Sequence, residues 1–233
     1  PDNGTDTLVP KMWILRGACA LDCGQVDAAR TNFAKAWHGW KHPEAGVMLG
    51  ECNMKNQCWD KAIEVLEEIY NTKEFMVCNI PIDMNTISSL MLHKLGFSYF
   101  YKAESIIKLK EAAPTLYNEE AYNMAKDCLQ KAEKYFIEFL ADNPYELSVA
   151  SKLAEIFKNS GRINDANAVN VSLINMYPAY AEGWKNLGMF EMLNHRYETA
   201  KLFLNKAYRL DPKDKLIEHN LRMLNKSTTK KGE

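Results

Sequence analysis

Residues 184–212 read WKNLGMFEMLNHRYETAKLFLNKAYRLDP, and this stretch decides the fold. Trp184, Leu187, Gly188 and Glu191 stand at i, i+3, i+4 and i+7, one stripe of a helix. Ala200, Leu204 and Ala207 follow at i, i+4 and i+7 on a second helix. Gly188 and Ala200 are small, so the two helices can approach closely where they cross. Asn194 and His195 break the first helix. Asp211-Pro212 stops the second, because proline cannot continue a helix and disfavours helical geometry in the residue before it.

The same spacing recurs upstream. Pro144, Pro178 and Pro212 lie 34 residues apart, and so do Ala132, Ala166 and Ala200. Leu153 and Leu187, and Ala150 and Trp184, keep that interval. A fixed period of small, large and helix-stopping residues marks one structural unit stacked repeatedly. The preceding unit runs Ala150, Leu153, Ala154, Phe157, Gly161, Ala166, Asn170, Pro178. Near the amino end, Trp13, Gly17, Gly24, Ala29, Phe33 and Ala36 give another unit, and Leu49, Gly50, Ala62, Leu66 and Ile69 a second. A step of twelve residues between the two small positions recurs from Gly17, Gly50, Ala154 and Gly188.

This pattern resembles the tetratricopeptide repeat (TPR), W-x2-L-G-x2-Y, then A-x3-F, then P. The resemblance covers roughly residues 8–213. Glu191 stands in place of Tyr, Leu204 in place of Phe, Ala150 in place of Trp, and Asn170 in place of the apolar knob. The resemblance implies an all-α fold: a right-handed α-solenoid of helix-turn-helix repeats whose first helices line a concave side. It is specific to fold rather than to function.

One unit is enlarged. Leu95, Gly96 and Tyr99 match a first helix, and Ala132, Phe136 and Pro144 a second, but Gly96 and Ala132 are 36 residues apart. Lys102 to Ala113 is a helix-forming stretch ended by Pro114. Asn118 with Glu119 and Glu120 reads as a helix start. Both helices are therefore expected to be longer, each by about 12 residues or ~18 Å. Ile106, Ile107, Leu109, Leu116, Tyr117 and Tyr122 are expected to zip the pair together.

The expected organisation is a flexible tail over 1–7, one solenoid over 8–225, and a flexible tail over 226–233. Its units fall at about 10–42, 43–76, 85–144, 147–180 and 181–214. A capping helix over 215–225 carries Leu216, Ile217, Leu221 and Leu224 on one face. The segment Asn71 to Asp83, with Phe75, Met76, Val77, Ile80 and Pro81, is too long for an ordinary turn. It is expected to be a loop with its apolar residues tucked against the stack.

Bulk properties narrow the function. Lys and Arg total 29 and Asp and Glu 30, a net charge of -1, so no whole-molecule field draws the chain to nucleic acid or an anionic membrane. No apolar run approaches the roughly 20 residues of a membrane helix. The start at Pro1 reads as a processed form or an excised piece. The six cysteines (Cys19, Cys23, Cys52, Cys58, Cys78, Cys128) are scattered, unlike a disulfide framework. Most read as reduced, buried small residues, which weakly favours an intracellular, soluble location without fixing the compartment, and the even count leaves a secreted, bridged form open.

By the geometry that the resemblance implies, the groove draws on three groups of residues. The amino-terminal half offers Ile14, Leu15, Ala18, Val47, Met48, Glu51 and Met54. The enlarged unit offers His93, Lys94, Phe97, Phe100 and Tyr101. The carboxyl-terminal half offers Ser151, Lys152, Glu155, Lys185, Asn186, Met189 and Met192. Met, Phe and Tyr suit adaptable apolar contact, so an amphipathic helix or an extended apolar peptide of another protein is the expected partner. A phase slip of one position would instead make several of these residues core. Relatives that hold acidic chaperone tails use a Lys, Asn and Arg clamp. Lys185 and Asn186 are present here, but Ser151 and Glu155 precede them and no clamp arginine follows, which disfavours that role.

No constellation points to catalysis. Cys19 and Cys23, at i and i+4, could offer two thiolates, but a structural zinc site normally needs four ligands, and two buried small residues is the better reading. His38 and His42, with Trp37 and Trp40, read as a packed junction between repeats. No glycine-rich phosphate loop or nucleophile elbow is present. No metal or cofactor is expected, and the chain reads as a non-catalytic scaffold or adaptor. Two other readings stand beside it. In one, the long hairpin or an uncovered end makes a homo-oligomer. In the other, the chain is the recruiting or regulatory segment of a larger enzyme.

Overall fold

Every element among the described residues is a helix, as the 34-residue pattern requires. The structure is a computed structural model that describes residues 8–72 and 83–229, with backbone alone for 226–229. The expectations for tail residues 1–7, for the apolar segment within 73–82 and for residues 230–233 fall outside it. Two compact units are present, one through Asn143 and one from Pro144.

The first unit holds α1 (Leu8–Asp22), α2 (Val26–Trp40), α3 (Pro43–Lys55), α4 (Trp59–Asn71), α5 (Met84–Ala112) and α6 (Glu119–Asp142). Each helix packs on the next, and α3 also meets α5. The second unit holds α7 (Leu147–Asn159), α8 (Ile163–Met176), α9 (Ala181–Leu193), α10 (Tyr197–Leu210) and α11 (Lys215–Thr229), again packed in succession. No described helix is long and apolar enough to cross a membrane.

The small residues mark the helix crossings. A Cβ at Gly17 would stand 2.6 Å from the Phe33 ring, at Gly50 2.8 Å from Leu66, at Gly96 2.4 Å from Phe136, and at Gly188 2.6 Å from Leu204. In each case the opposing side chain is fully buried. The repeat with Ala154 at this position is also the one with Asn170 as its knob. A smaller knob accompanies the added methyl. Asn170 is buried, and its amide donates to the Ala166 carbonyl at 2.9 Å and accepts from Asn186 at 3.3 Å. The polar substitution therefore leaves no unsatisfied group.

Seven residues past each of four crossings the chain turns through a left-handed residue: Gly24, Gln57, Gly161 and His195, with φ of 72°, 56°, 78° and 59°. Glycine takes this conformation without strain. Gln57 and His195 do not.

The enlarged repeat is a long hairpin. α5 has 29 residues and α6 has 24. Asp83 caps α5 by accepting from the Asn85 and Thr86 amides, and Asn118 caps α6 by accepting from the Ala121 amide at 2.9 Å. The hairpin is anchored on α4 through Glu67, whose carboxylate accepts from the Tyr99 hydroxyl at 2.6 Å and from Tyr135 at 3.4 Å. Burial, then the Glu67 carboxylate, pushes both phenols well above their ordinary range.

The outer part of the hairpin closes less tightly than expected. Ile107, Leu116 and Tyr122 are exposed, while Ile106, Leu109 and Tyr117 are half-buried. Two helices alone share a single seam, and apolar residues off that seam have nothing to cover them.

α11 closes the second unit and runs four residues beyond the expected Asn225, so residues 226–229 are helical rather than a tail. Ile217 and Leu224 enter a core with Ala200, Leu204 and Ala207, and Leu221 packs against it. Leu216 stays exposed, one position off the covered face.

Two cysteines also depart from expectation. Cys52 and Cys128 are buried and Cys58 half-buried, but Cys19 and Cys23 are exposed. Cys19 occupies the same repeat position as Cys52. α3 packs on α2, α4 and α5, whereas no described helix precedes α1.

Candidate functional site

The carboxyl-terminal part of α3, the first residue of α4 and the middle of α5 enclose an open cavity of about 390 Å³. Met54, His93, Phe97 and Tyr101 line it, together with Glu51, Lys55, Trp59 and Lys94. Its wall is a row of flat rings. Trp59 stacks on Tyr101 with centroids 5.6 Å apart, Tyr101 on Phe97 at 5.8 Å, and Phe97 lies 4.7 Å from His93. Phe136 and Phe139 back this row from α6, edge-on to Phe97 and His93. Three of its rings stand on α5 at helical spacing, at 93, 97 and 101, and Trp59 joins them from the start of α4.

Charge is concentrated on one side. The Lys94 ammonium meets Glu51 at 2.6 Å and Lys55 lies 3.7 Å from the same carboxylate. Burial alone would raise the Glu51 carboxyl, but the Lys94 hydrogen bond and the two cations outweigh it and hold it below the usual range. Two cations thus share one anion.

Several expected groove residues are core instead. Val47 is 1% exposed, Phe100 2%, Ile14 6% and Phe97, although it borders the cavity, 8%. Ile14 and Val47 share one repeat position and turn into the stack. Phe100 turns away from the cavity that its neighbour Tyr101 lines. Leu15 is exposed on α1, apart from the cavity, and Met48 is half-buried. Trp59 and Lys55 lie outside the expected set. Trp59 belongs to a second helix, so no first-helix stripe could reveal it.

The second unit presents a separate, polar cavity of about 320 Å³, lined by Lys152, Glu155 and Asn186 among others. Lys152 and Glu155 are paired at 3.0 Å. Met189 instead lines a small apolar recess with Ile163, Phe190 and Leu193. Met192 packs against the α10–α11 core. Lys185 is not available to a ligand: it is 8% exposed and bound to Glu182 and Asp214 at 2.5 and 2.9 Å.

Among the described residues, no group of three or more His, Cys, Asp or Glu side chains is placed to hold a metal ion. His42 is buried against the start of α3, and Trp37 lies against Gly46.

The class that emerges is a stack of helical hairpins with glycine crossings and an aromatic recess between first helices: the tetratricopeptide-repeat fold. Solved structures agree. YrrB, described as a TPR protein with an unusual peptide-binding site, is 14% identical, with a TM-score of 0.61 over 89% of both chains. MamA of AMB-1 is 16% identical, with a TM-score of 0.63 over 89% of this chain and 94% of its own. The TPR protein TTC0263 of Thermus thermophilus is 17% identical, with a TM-score of 0.50 over 92% and 98%. At these identities the likeness is one of fold. No family model and no curated protein matches the sequence.

Proposed function

We propose that this chain is a non-catalytic scaffold that holds a segment of another protein in the α3–α5 cavity. The observation that carries this reading is the stacked pair of half-buried rings Trp59 and Tyr101 lining the cavity, backed by Phe97. Aromatic rings on a rigid helix give large contact area at low entropic cost. A peptide-binding site in a protein of the same fold supports it by analogy. The exposed Lys55 sets orientation. Affinity capture from source lysate tests it, comparing the intact chain with Tyr101→Ala and with Lys152→Ala in the polar cavity. A partner lost only with Tyr101→Ala supports the reading; a partner retained by Tyr101→Ala and lost with Lys152→Ala refutes it.

Self-association is a second reading, favoured by exposed Ile107, Leu116, Tyr122 and Met124 on the outer hairpin. Concentration-dependent mass by light scattering, abolished by Leu116→Ser, would support it.

A further inference from the structure

The chemistry of the α3–α5 cavity narrows the kind of segment that fits, on the reading that it is a partner site. Its polar groups are unequal. Glu51, the only carboxylate lining it among the described residues, is already engaged by Lys94 and Lys55. The Trp59 indole N–H and the Tyr101 hydroxyl, in contrast, make no hydrogen bond among the described residues; both contribute only ring contacts. Neither is among the buried groups left without a partner, so both donors reach solvent, and a ligand docked there must supply their acceptors.

A helical ligand meets that demand poorly, because its backbone carbonyls are bonded within the helix. A polyproline II segment meets it well. Its backbone has no internal hydrogen bonds, so its carbonyls are free, and proline brings no N–H that would need an acceptor. The wall also has suitable shape. Trp59, Tyr101 and Phe97 are tilted by only 29° and 24° in succession and spaced 5.6 and 5.8 Å apart. Phe97 is only 8% exposed, so Trp59 and Tyr101 are the rings that can each take one proline of a polyproline segment. Such a segment is ordered before it binds, so little entropy is lost on aromatic docking. Lys94 is taken up by Glu51 at 2.6 Å, so the exposed Lys55, 3.7 Å from that carboxylate, is the cation that calls for an acidic residue beside the prolines.

We propose that the cavity takes an extended, proline-rich segment of a partner protein flanked by an acidic residue. The Trp59 N–H and Tyr101 O–H donate to its carbonyls, and its pyrrolidine rings lie on the Trp59 and Tyr101 rings.

The test uses the full chain and two labelled probes: the acetylated, amidated nonapeptide EPPLPPLPE and an amphipathic Leu/Glu/Lys helical peptide. Fluorescence anisotropy gives affinities, and the Trp59 indole NMR signal, assigned with Trp59→Phe, reports the place of binding. The nonapeptide is expected to bind saturably and to shift that signal. Trp59→Phe and Tyr101→Phe, which keep the rings and remove one donor each, are expected to weaken it about tenfold with unchanged thermal melting. Binding of the helical peptide alone overturns the proline assignment and leaves the cavity as a partner site. Nonapeptide binding that ignores both variants overturns it too. Binding of neither probe also overturns it, and the Tyr101→Ala capture then decides the broader reading separately.

Discussion

Gly96→Ala puts one methyl group where the α5–α6 crossing has no room. The new Cβ would lie 2.4 Å from two ring carbons of Phe136, against a favourable carbon–carbon separation of about 3.5–4.0 Å. Phe136 is fully buried and stands edge-on to Phe97 at 5.1 Å, so its ring cannot swing aside without disturbing the cavity wall. Overpacking costs about 1–3 kcal/mol, and the depth of this clash puts it near the top of that range. Alanine recovers about 1 kcal/mol of helix propensity. The expected net effect is a loss of about 2 kcal/mol, or ~4–8 °C in Tm for a chain of this size. Urea denaturation followed by circular dichroism measures it. Two controls isolate the cause. At Gly39, in the last turn of α2, a Cβ meets nothing within 4 Å, so Gly39→Ala should be neutral or slightly stabilising. In a Phe136→Ala background the room exists, and Gly96→Ala should become neutral or stabilising by up to about 1 kcal/mol. Equal destabilisation in both backgrounds, or identical behaviour of Gly39→Ala and Gly96→Ala, would refute the crossing argument.

Gln57→Gly should stabilise the chain by about 0.5–1 kcal/mol, because relief of a left-handed non-glycine residue outweighs the added unfolded-state entropy; chemical denaturation checks it. Burial holds the His42 imidazole below its ordinary value, with Lys11 adding to this and Glu44 opposing it. Its folded value is depressed, so its stabilising contribution is present above about pH 6.5 and is lost as pH falls through and below that point. His42→Leu should flatten that part of the stability profile. Lys185→Met leaves Glu182 and Asp214 facing each other without their cation and should cost about 1–3 kcal/mol by denaturation. The Lys185 hydrogen bond, and then those of the Leu216 and Ile217 amides, hold Asp214 below the usual carboxylate range. That contribution is complete above about pH 4 and is lost as pH falls through the lower folded value, so Lys185→Met should show a smaller acid-induced loss than the parent.

Fold and site were not equally legible in the sequence. Gly188 and Leu204, or Gly96 and Phe136, announce their contact because a helix crossing needs one small and one large residue at fixed spacing. The long hairpin was readable from Pro114 and Asn118, since helix stops and caps act through local backbone chemistry. The cavity was only half readable. Phe97, Tyr101, His93 and Met54 follow the first-helix stripe, but the inward turn of Ile14, Val47 and Phe100 depends on rotations of a few tens of degrees, finer than a period of 3.6 residues resolves. Trp59 arrives from another helix, and its place is set by how α4 packs beside α5. Lys185 resembles a ligand-binding cation in sequence. Only the folded chain brings Asp214, 29 residues later, against it.

Cys19 and Cys52 occupy one and the same repeat position with opposite accessibility, and this gives the chain a chemical address. Burial, then the neighbouring Glu51 charge, pushes the Cys52 thiol up to about 11. With Cys58 and Cys78 replaced by Ser, a maleimide dye at neutral pH should decorate α1 at Cys19 and Cys23 and spare Cys52 until the fold opens, so one reagent can mark that helix and time unfolding from within.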